Sequence, residues 1–421
     1  AIGILIAGGE VKWQKDDESA IYYGELSLEG SSRHTKGVLL VALLAKKEGR
    51  KVFVPIDSIA EAAMVGGIEV VGVKNLNELV KSWQEGLPVK GVSNLSLQNK
   101  EGEETFEIDL AEVIGQEQAK RALAIAAAGG HNVLMSGPPG SGKTMLARAL
   151  PTILPPLSDE EALEVTRIYS VSGLLGAGEG LVRRRPFRSP HHSISLAGLV
   201  GGGSKPQPGE ISLAHLGVMF LDEMAEFSRS VMESMRQPLE DGRVVISRAG
   251  GRVEYPADFI LVGAVNPCPC GFLGHPRKEC QCSIREVERY KRRISGPILD
   301  RIDLHIQVPV VETEKLMAGE GESSEKIRGK VVRAREKQRQ RLAVKKMFFN
   351  AQMRNKEVKE FVPLDGEARR MLMLAVDKYD ISTRGYFRLL KVARTIADLD
   401  GIELVGWEQV AEALQYRMRV F

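Results

Sequence analysis

The chain has little cysteine and no long apolar run, and each absence excludes a class of protein. None of its apolar stretches reaches the roughly 18–20 residues that a membrane span requires, so we expect no membrane-spanning protein. Only 4 of its 421 residues are cysteines, and all lie between positions 268 and 282, which disfavours a secreted disulfide scaffold. The start of the chain lacks the basic segment and cleavage site of a signal peptide. These features predict a cytoplasmic protein.

The net charge of +3 conceals an uneven distribution of charge along the chain. Residues 1–108 contain 12 basic residues against 16 acidic ones, a net charge of −4, so the remaining residues carry +7. A polar stretch at residues 91–107, rich in glycine and acidic residues, is typical of a linker between two parts. The chain opens at Ala1 with an apolar segment, so we expect an N-terminal domain over residues 1–90 that begins part-way through its fold.

Alternating strand and helix patterns predict α/β folds on both sides of this linker. In the first part, strands are predicted at 21–28, 51–55 and 69–73, and helices at 37–48, 58–65 and 75–83. In the second part, strands are predicted at 131–136, 217–221, 259–265 and 304–310, and helices at 116–128 and 143–150. The chain then becomes helical, with helices predicted at 322–347, 366–379, 382–399 and 407–416.

A glycine-rich segment has the spacing of a phosphate-binding loop. Its sequence is Gly137-Pro138-Pro139-Gly140-Ser141-Gly142-Lys143-Thr144, which fits G-x-x-x-x-G-K-[ST]. It stands between a predicted strand and a predicted helix, where backbone N–H groups at the helix start can bind phosphate oxygens. Lys143 is expected to reach the β- and γ-phosphates of ATP, and the Thr144 hydroxyl to bind Mg²⁺. The strand–loop–helix context disfavours the alternative, a glycine-rich turn without a ligand.

Two further strands are followed by polar side chains that suit nucleotide hydrolysis. Four apolar residues at 218–221 precede Asp222 and Glu223, which would place one carboxylate on Mg²⁺ and the other against the attacking water. The strand predicted at 259–265 precedes Asn266, whose amide would orient the same water. The alternative for Asn266 is a turn-forming residue before Pro267.

With these motifs in place, the chain resembles the AAA+ ATPases, and among them the magnesium-chelatase-like ComM/YifB family. The resemblance covers nearly the whole chain. It is carried by the segments DLAEVIGQ (109–116), RPFRSPHHSISLAGLVGGG (185–203), NPCPCG (266–271), SGPILDRIDL (295–304) and STRGY (382–386). It implies an α/β fold with an AAA+ P-loop ATPase core over 108–318. A basic connecting helix and a C-terminal helical lid would follow over 319–421.

The resemblance also assigns two arginines that would otherwise be taken for surface or ion-pair residues. Arg301 matches the family's arginine finger, which reaches the γ-phosphate of a neighbouring subunit, and Arg384 matches the sensor-2 arginine on the helical lid. A guanidinium at either position would stabilise charge on the transferring phosphoryl group. A finger that acts on a neighbour requires an oligomer, and the resemblance implies a homo-hexameric ring.

The N-terminal part is similar to the latter half of the Lon-protease-like (ribosomal S5 domain 2-like) α/β domain of this family, and so is expected to be truncated. The similarity runs through GELSLEG (24–30) and KVFVP (51–55). The position that matches the catalytic lysine of Lon proteases holds Leu39, which has no amine, and Lys36 is out of register. We therefore expect a structural or assembly module without peptidase activity.

The cysteines form two C-x-C pairs with nine residues between them. Four thiolates on one loop, from Cys268, Cys270, Cys280 and Cys282, are a candidate tetrahedral Zn²⁺ site. The alternative is a loop with reduced thiols and no metal. His275 lies within the loop and is not expected to add a ligand.

Two basic stretches are candidates for contact with a polyanion. The insertion at 183–209 combines several arginines with a run of glycines, which is typical of a mobile loop that would contact DNA in a central pore. Its adjacent His191 and His192 are poorly spaced for a metal site. Residues 326–346 contain ten basic residues and one acidic residue, and this predicts a helix with positive charge on all sides. A solvated segment explains either stretch equally well.

The resemblance and the basic ATPase part together favour an ATP-driven ring motor that acts on DNA. The implied activity is helicase-like branch migration on single-stranded or branched DNA during recombination and transformation. The alternative is an AAA+ ATPase that remodels a protein partner or drives a chelatase-like reaction. A nucleotide-binding scaffold without hydrolysis is disfavoured, because every hydrolytic position is filled.

Overall fold

The computed structural model describes residues 1–11, 19–85, 108–176, 178–203, 206–248, 251–311 and 321–417. The chain divides into two compact units, each made from two stretches of sequence. The first comprises residues 1–104 and 157–184, and the second comprises residues 105–156 and 185–421. The linker predicted at 91–107 lies outside the described residues. Among the described helices, none combines the length and apolarity needed to cross a membrane.

The first unit is built on a small parallel sheet. In spatial order its strands are Ile21–Tyr22, Val52–Pro55 and Val70–Val73. The described helices of this unit are Ile2–Ala7, Val38–Glu48, Ile59–Ala63, Leu76–Glu85 and Asp159–Ser172. All four residues of the central strand are buried, which explains why its sequence is apolar without alternation.

The continuous strand predicted at 21–28 is wrong. The parallel pairing ends at Tyr22, and Glu25–Leu26 instead forms an antiparallel ribbon with Ser32–Arg33. Leu28 lies in the turn of that ribbon and is fully exposed. The run of apolar residues therefore reflects two short strands in different sheets, which periodicity alone does not separate.

The helix Asp159–Ser172 belongs to the first unit, although its sequence lies inside the stretch assigned to the ATPase core. It begins with a capping box, in which Ser158 and Glu161 each accept a hydrogen bond from the other's backbone N–H, at 3.2 and 3.0 Å. Near its end, the Ser170 hydroxyl donates to the buried Glu61 carboxylate at 2.6 Å. Residues 157–184 are thus part of the first unit's own packing.

The second unit contains a parallel sheet of five strands. In chain order these are β1 (Val133–Ser136), β2 (Phe187–Arg188), β3 (Val218–Leu221), β4 (Ile260–Val265) and β5 (Leu304–Gln307). Their spatial order is β5-β1-β4-β3-β2. Every residue of β1, β3 and β4 is buried, as expected for central strands of a parallel sheet. Because parallel strands end at the same edge, the residues that follow these three strands meet there.

Helices surround this sheet and form the C-terminal region. The described helices before residue 300 are Glu117–Gly129, Lys143–Ile153, Leu196–Val200, Glu210–Leu213, Arg229–Ser234, Arg236–Asp241, Ile284–Lys291 and Gly296–Leu299. Those after it are Ser324–Leu342, Asn355–Phe361, Gly366–Tyr379, Thr383–Asp400 and Trp407–Gln415. The strand predicted at 304–310 ends at Gln307, before Pro309, which has no N–H to donate.

An antiparallel hairpin that the sequence analysis did not predict lies in the chain between β3 and β4. Its strands are Arg243–Arg248 and Gly251–Pro256, and they pair along their whole length. A smaller ribbon, Gly201–Gly202 with Gln207–Pro208, lies within the insertion predicted at 183–209.

The helix Ser324–Leu342 is not positively charged on all sides, contrary to the prediction. Its buried face is made by residues three or four positions apart, namely Ser324, Ile327, Val331, Ala334, Gln338 and Leu342. Two of its basic side chains also turn inward: Arg335 donates to the Ala127 carbonyl at 2.8 and 2.9 Å, and Arg341 pairs with Asp398 at 2.6 Å. The exposed positive charge is therefore restricted to the remaining face.

A buried polar network joins the start of β1 and β5 to the lid helix Thr383–Asp400. His131 contacts Asp303 at 3.2 Å through Nδ1 and Thr395 at 2.8 Å through Nε2. Arg388, from the same helix as Thr395, donates to the other Asp303 oxygen at 2.7 Å. Burial alone would raise the pKa of Asp303, but the Arg388 guanidinium and His131 hold that pKa below its usual range.

Candidate active site

The phosphate-binding loop follows β1 and leads directly into the helix Lys143–Ile153. Gly142 adopts φ of +91°, a left-handed conformation that a residue with a side chain rarely takes, and this allows the sharp turn into the helix. Gln116 donates through its amide to the carbonyls of Ser141, at 3.3 Å, and Pro309, at 2.6 Å. The loop is thereby tied to the segment after β5, and the first N–H groups of its helix have no partner within the helix.

The Lys143 ammonium is buried, and its hydrogen bonds go to uncharged oxygen atoms. It donates to the carbonyls of Gly137 at 2.6 Å and Pro138 at 2.9 Å, and it lies 3.4 Å from Asn266 Oδ1. Burial lowers the pKa of Lys143, although nearby carboxylates oppose this effect. A buried ammonium in such surroundings would be stabilised by an anion such as phosphate.

The structure brings together the loop and the end of β3, which are 78 residues apart. Thr144 Oγ1 donates to Asp222 Oδ2 at 3.2 Å, and the other Asp222 oxygen accepts the backbone N–H of Glu223 at 3.0 Å. A hydroxyl and a carboxylate at this distance can act as two ligands of one Mg²⁺ ion.

Glu223 has an unusual backbone conformation for a residue with a side chain, with φ of +48°. A non-glycine residue in this region is strained by about 1–3 kcal/mol, and such residues concentrate at functional sites. Its carboxylate is half-exposed and lies 3.7 Å from His192 Nδ1. The closeness of His192 to Glu223 is a tertiary contact that no sequence spacing reveals, so from the sequence His192 could be considered only as a metal ligand.

These residues fit a magnesium–nucleotide complex. Ser141 Oγ is buried in the loop and has no hydrogen-bond partner among the described residues, as expected where a ligand supplies one. Thr144 and Asp222 provide the oxygen ligands that Mg²⁺ prefers. The helix start after the loop provides N–H groups and a favourable dipole for phosphate.

Arg301 and Arg384 come together on a third residue, Glu240. Arg301 forms an ion pair with one Glu240 oxygen and also donates to the Pro297 carbonyl at 2.8 Å, while Arg384 lies 3.3 Å from the other Glu240 oxygen. The Arg301 side chain is only 11% exposed, whereas those of Glu240 and Arg384 are each 51% exposed. Glu240 could not be identified from the sequence, since no motif distinguishes it among 55 acidic residues.

The four cysteines cluster on the loop that follows β4. Cys268 Sγ lies 3.4 Å from Cys270 Sγ and 3.6 Å from Cys280 Sγ, and all four sulfur atoms, including that of Cys282, lie within 4.8 Å of one another. All four are free thiols. A tetrahedral ion with Zn–S bonds of 2.3 Å would hold its sulfur atoms about 3.8 Å apart. The observed distances therefore suit one metal ion, whereas an iron–sulfur cluster spreads its cysteines over several irons.

Three family descriptions match the chain. "Magnesium chelatase, subunit ChlI" matches residues 109–316, "Magnesium chelatase, subunit ChlI C-terminal" matches 321–417, and "Subunit ChlI of Mg-chelatase" matches 1–58. Together they account for most of the chain, including all of the site described above.

Two full-length relatives refine this assignment. The competence protein ComM of Haemophilus influenzae is 41% identical over 430 residues, which cover 100% of this chain and 82% of ComM. The uncharacterized protein YifB of Escherichia coli is 41% identical over 427 residues, which cover 99% of this chain and 80% of YifB. The chain belongs to the magnesium-chelatase-like ComM/YifB family of AAA+ ATPases. The magnesium-chelatase 67 kDa subunit of Heliobacterium mobile is a more distant relative, 29% identical over 50% of this chain and 34% of its own length.

Membership of the ComM/YifB family confirms the predicted family and the coarse fold. The parallel sheet of the second unit and the helical C-terminal region fit a chelatase-like AAA+ ATPase. ATP and Mg²⁺ are the ligands that such an ATPase implies, and they agree with the donor set of the phosphate-binding loop.

Proposed function

We propose that this chain is an ATP-hydrolysing AAA+ ring motor that acts on DNA. The observation that carries the proposal is the division of its candidate active-site side chains into two sets. Lys143, Thr144 and Asp222 surround the phosphate-binding loop, whereas Arg301 and Arg384 are held together on Glu240. This division suits a motor in which arginines from one copy stabilise the phosphoryl group bound by another.

Each residue around the loop has its own task in the proposed hydrolysis. The N–H groups of the helix start and Lys143 would hold the phosphates, while Thr144 and Asp222 would hold Mg²⁺, whose charge would offset that of the phosphate oxygens. Asn266 orients a water molecule, and Glu223 accepts its proton as the oxygen bonds to the γ-phosphorus. The bond to the β-phosphate oxygen then breaks, and ADP and phosphate are released.

The two arginines would complete the site of the next copy in a ring. Because Arg301 and Arg384 share Glu240, they would reach the same nucleotide, and its γ-phosphate would replace Glu240 as their partner. In a closed ring, the same head-to-tail interface repeats between every pair of neighbours. Each phosphate-binding loop would then face the arginines of the next copy. We propose a homo-hexamer, as the family resemblance implies.

The DNA substrate is supported by the ComM relative and by basic surfaces of the chain. The name of the Haemophilus influenzae protein refers to competence, which suggests branched or single-stranded DNA during recombination and transformation, with helicase-like branch migration. Arg252 is exposed on the hairpin between β3 and β4. The exposed face of helix Ser324–Leu342 carries Lys326, Arg333 and Lys337. Such side chains suit phosphate contacts that weaken as salt increases.

The proposal is tested by measuring ATP turnover and strand displacement on a three-stranded DNA substrate. We expect DNA to stimulate turnover, and displacement to require ATP. Arg252→Ala should weaken the stimulation, while Arg292→Ala, at another exposed arginine, should not. The DNA motor is excluded if single-stranded and branched DNA neither bind at moderate salt nor change turnover.

The role of Glu223 is tested separately. Glu223→Gln keeps the shape of the side chain but cannot accept a proton, so ATP should still bind while turnover falls by about 10²–10⁴-fold. Turnover at the wild-type rate would show that another residue is the base.

A second function is favoured by the family descriptions, which name a chelatase subunit. In this case the ATPase would remodel a protein partner or drive a chelatase-like reaction through one. DNA would then leave turnover unchanged, and a co-purifying protein would stimulate it.

We also propose that the four cysteines hold a structural Zn²⁺ ion. The single cluster of sulfur atoms and the backbone N–H of Leu273, which donates to Cys268 Sγ at 3.3 Å, support this assignment. Elemental analysis should find about one zinc per chain. A chain without bound metal and with freely titratable thiols would refute it.

The first unit is proposed to be a Lon-protease-like assembly module without peptidase activity. Leu39, at the position matched to the catalytic lysine, is fully buried, and its backbone N–H donates to Glu61 at 2.9 Å. An apolar side chain in this place offers no general base. ATP-dependent cleavage of an unfolded protein substrate by the purified chain would contradict this assignment.

A further inference from the structure

The cysteine loop, residues 268–282, packs directly against the phosphate-binding loop. Gly271 is buried, and a Cβ added to it would lie 2.7 Å from Pro139 Cδ, so its backbone rests on the proline ring. Gly271 also adopts φ of +82° and donates its N–H to the Cys268 carbonyl at 3.0 Å. Gly271 therefore contacts the phosphate-binding loop while its backbone is hydrogen-bonded to Cys268, and in sequence it lies between two further cysteines of the cluster, Cys270 and Cys280.

A second route joins the same two loops. The helix Ile284–Lys291 begins just after Cys282, and its Tyr290 is buried next to the backbone N–H of Asn266. Asn266 Oδ1 in turn lies 3.4 Å from Lys143 Nζ. Asn266, at the base of the cysteine loop, thus lies between Tyr290 and the lysine expected to bind phosphate.

Apart from the sulfur cluster, the cysteine loop is held by short-range contacts, in which His275 Nδ1 accepts the backbone N–H groups of Arg277 and Lys278, each at 3.0 Å. Residues 268–282 contain no helix or strand, and residues 276–279 are exposed. A segment with few buried apolar contacts depends on its metal for a defined structure. Without the ion, the position of Gly271 against Pro139 would no longer be fixed.

We infer that the metal-loaded cysteine loop is a part of the nucleotide site, where it clamps the phosphate-binding loop in the conformation that binds phosphate. The inference rests on the proposed function, since it requires Zn²⁺ at the cysteines and a nucleotide at the loop. It adds a dependence between the two sites: the chain should lose nucleotide affinity when it loses the metal.

Two glycines of the loop provide a matched pair of variants. Gly271 and Gly274 both adopt left-handed conformations, with φ of +82° and +76°, so alanine strains the backbone at either position. A Cβ at Gly271 meets Pro139, whereas a Cβ at Gly274 meets no atom within 4 Å. Gly271→Ala should therefore disturb the phosphate-binding loop, and Gly274→Ala should not.

The test measures the Kd of a fluorescent ADP analogue and the zinc content of each full-length variant. We expect Gly271→Ala to retain about one zinc per chain but to bind about 10-fold more weakly, because the competent conformation of the loop falls to about a tenth of the population. Gly274→Ala should match the wild type in both measurements. Thermal unfolding of both variants reports their common backbone strain.

A second arm removes the metal without touching the glycines. The double variant Cys280→Ser/Cys282→Ser should lose zinc and show a similar weakening, and wild-type chain stripped of zinc should recover its affinity when ZnCl₂ is restored. The inference is overturned if the zinc-free chain, or Gly271→Ala, binds the analogue as tightly as the wild type. In that case zinc and nucleotide binding by the wild type would still support the proposed function. A wild type that lacks zinc or does not bind the analogue would overturn both.

Discussion

The phosphate-binding loop and the arginine pair hold their positive charges in opposite ways. Lys143 donates to two carbonyl oxygens and lies beside an amide oxygen, whereas Arg301 and Arg384 both pair with the Glu240 carboxylate. The first arrangement leaves a buried positive charge that an anion would stabilise, and the second offsets one of its two positive charges within the chain. Under the proposed function, one chain would therefore bind a nucleotide unaided, while its arginines would have to exchange a partner before acting on phosphate.

The largest effect on turnover is expected when an arginine of the pair is removed. Arg301→Ala should leave nucleotide affinity nearly unchanged and lower turnover by about 10³-fold, because a trans-acting arginine stabilises the transferring phosphoryl group rather than the bound ground state. Turnover at saturating ATP and the Kd of an ADP analogue, measured on the same preparation, separate these two effects.

Mixing two inactive variants tests whether Arg301 acts on a neighbour. In a ring assembled from equal amounts of Arg301→Ala and Glu223→Gln chains, about a quarter of the contacts would join an intact Glu223 to an intact Arg301. Turnover should therefore reappear on mixing. Continued inactivity in mixed rings would mean that Arg301 acts within its own chain.

The next largest effect, on nucleotide affinity, is expected at Lys143 in the phosphate-binding loop. Lys143→Ala removes the charge expected to bind phosphate and should weaken nucleotide binding by about 100-fold, the scale of a charged hydrogen bond or two. Because burial lowers the pKa of Lys143, its charged form opposes folding, and the variant should unfold at no lower temperature. Titration calorimetry and thermal unfolding check both parts, and a loss of affinity below threefold would refute the assignment.

The two sides of this comparison were not equally readable from the sequence. The phosphate-binding loop, Asp222 and Asn266 could be predicted to meet because each follows a strand of one parallel sheet, and strand ends share an edge. Glu240 and His192 could not be predicted, because their contacts depend on how helices and loops pack, which local patterns do not encode. The arginine roles came from family resemblance rather than from spacing.

The fold shows the same distinction between local and distant information. Strand periodicity located β1, β3 and β4 to within two residues. It did not reveal that residues 157–184 pack with the first unit, because the Ser170–Glu61 hydrogen bond joins residues 109 positions apart. It also missed the charge pattern of helix Ser324–Leu342, where Arg335 and Arg341 make internal contacts that composition alone conceals.

A third arginine, Arg388, also forms an ion pair within the chain, and replacing its partner Asp303 tests whether this pair stabilises the fold. Asp303→Asn leaves the Arg388 guanidinium without its carboxylate, and it should lower the free energy of unfolding by about 2–3 kcal/mol, somewhat less than for a fully buried pair because Arg388 keeps some contact with water. Denaturant titration at pH 7 measures this loss. An equally stable variant would show that the pair contributes nothing to folding.

The same pair predicts how stability depends on pH. The pKa of Asp303 is lower in the folded chain than its reference value of 3.8, so the unfolded chain binds this proton first as the pH falls. The stabilisation is fully present above pH 3.8 and is lost as the pH falls through the folded pKa. The difference in stability between wild type and Asp303→Asn should therefore shrink only in strong acid.

The smallest effect is expected from Glu240→Gln, which releases the arginines while keeping the side-chain shape. Glu240 is half-exposed, so its pairing contributes about 0–1 kcal/mol, and its removal should raise turnover by about threefold at protein concentrations below full assembly. Glu233→Gln is the matched control, since Glu233 pairs with Arg236 close by in sequence and should have no effect on turnover.

Salt separates the two roles that Glu240 can have. If Glu240 competes with phosphate for Arg301 and Arg384, the gain in turnover of Glu240→Gln should disappear at high salt. Salt already screens the solvent-exposed ion pair with Glu240 in the wild type. If Glu240 instead orients the arginines, its loss should lower turnover at every salt concentration. A tenfold decrease in the turnover of Glu240→Gln would thus contradict competition between Glu240 and phosphate. A gain in turnover confined to low salt would show that Glu240 holds the arginines until a phosphate displaces it.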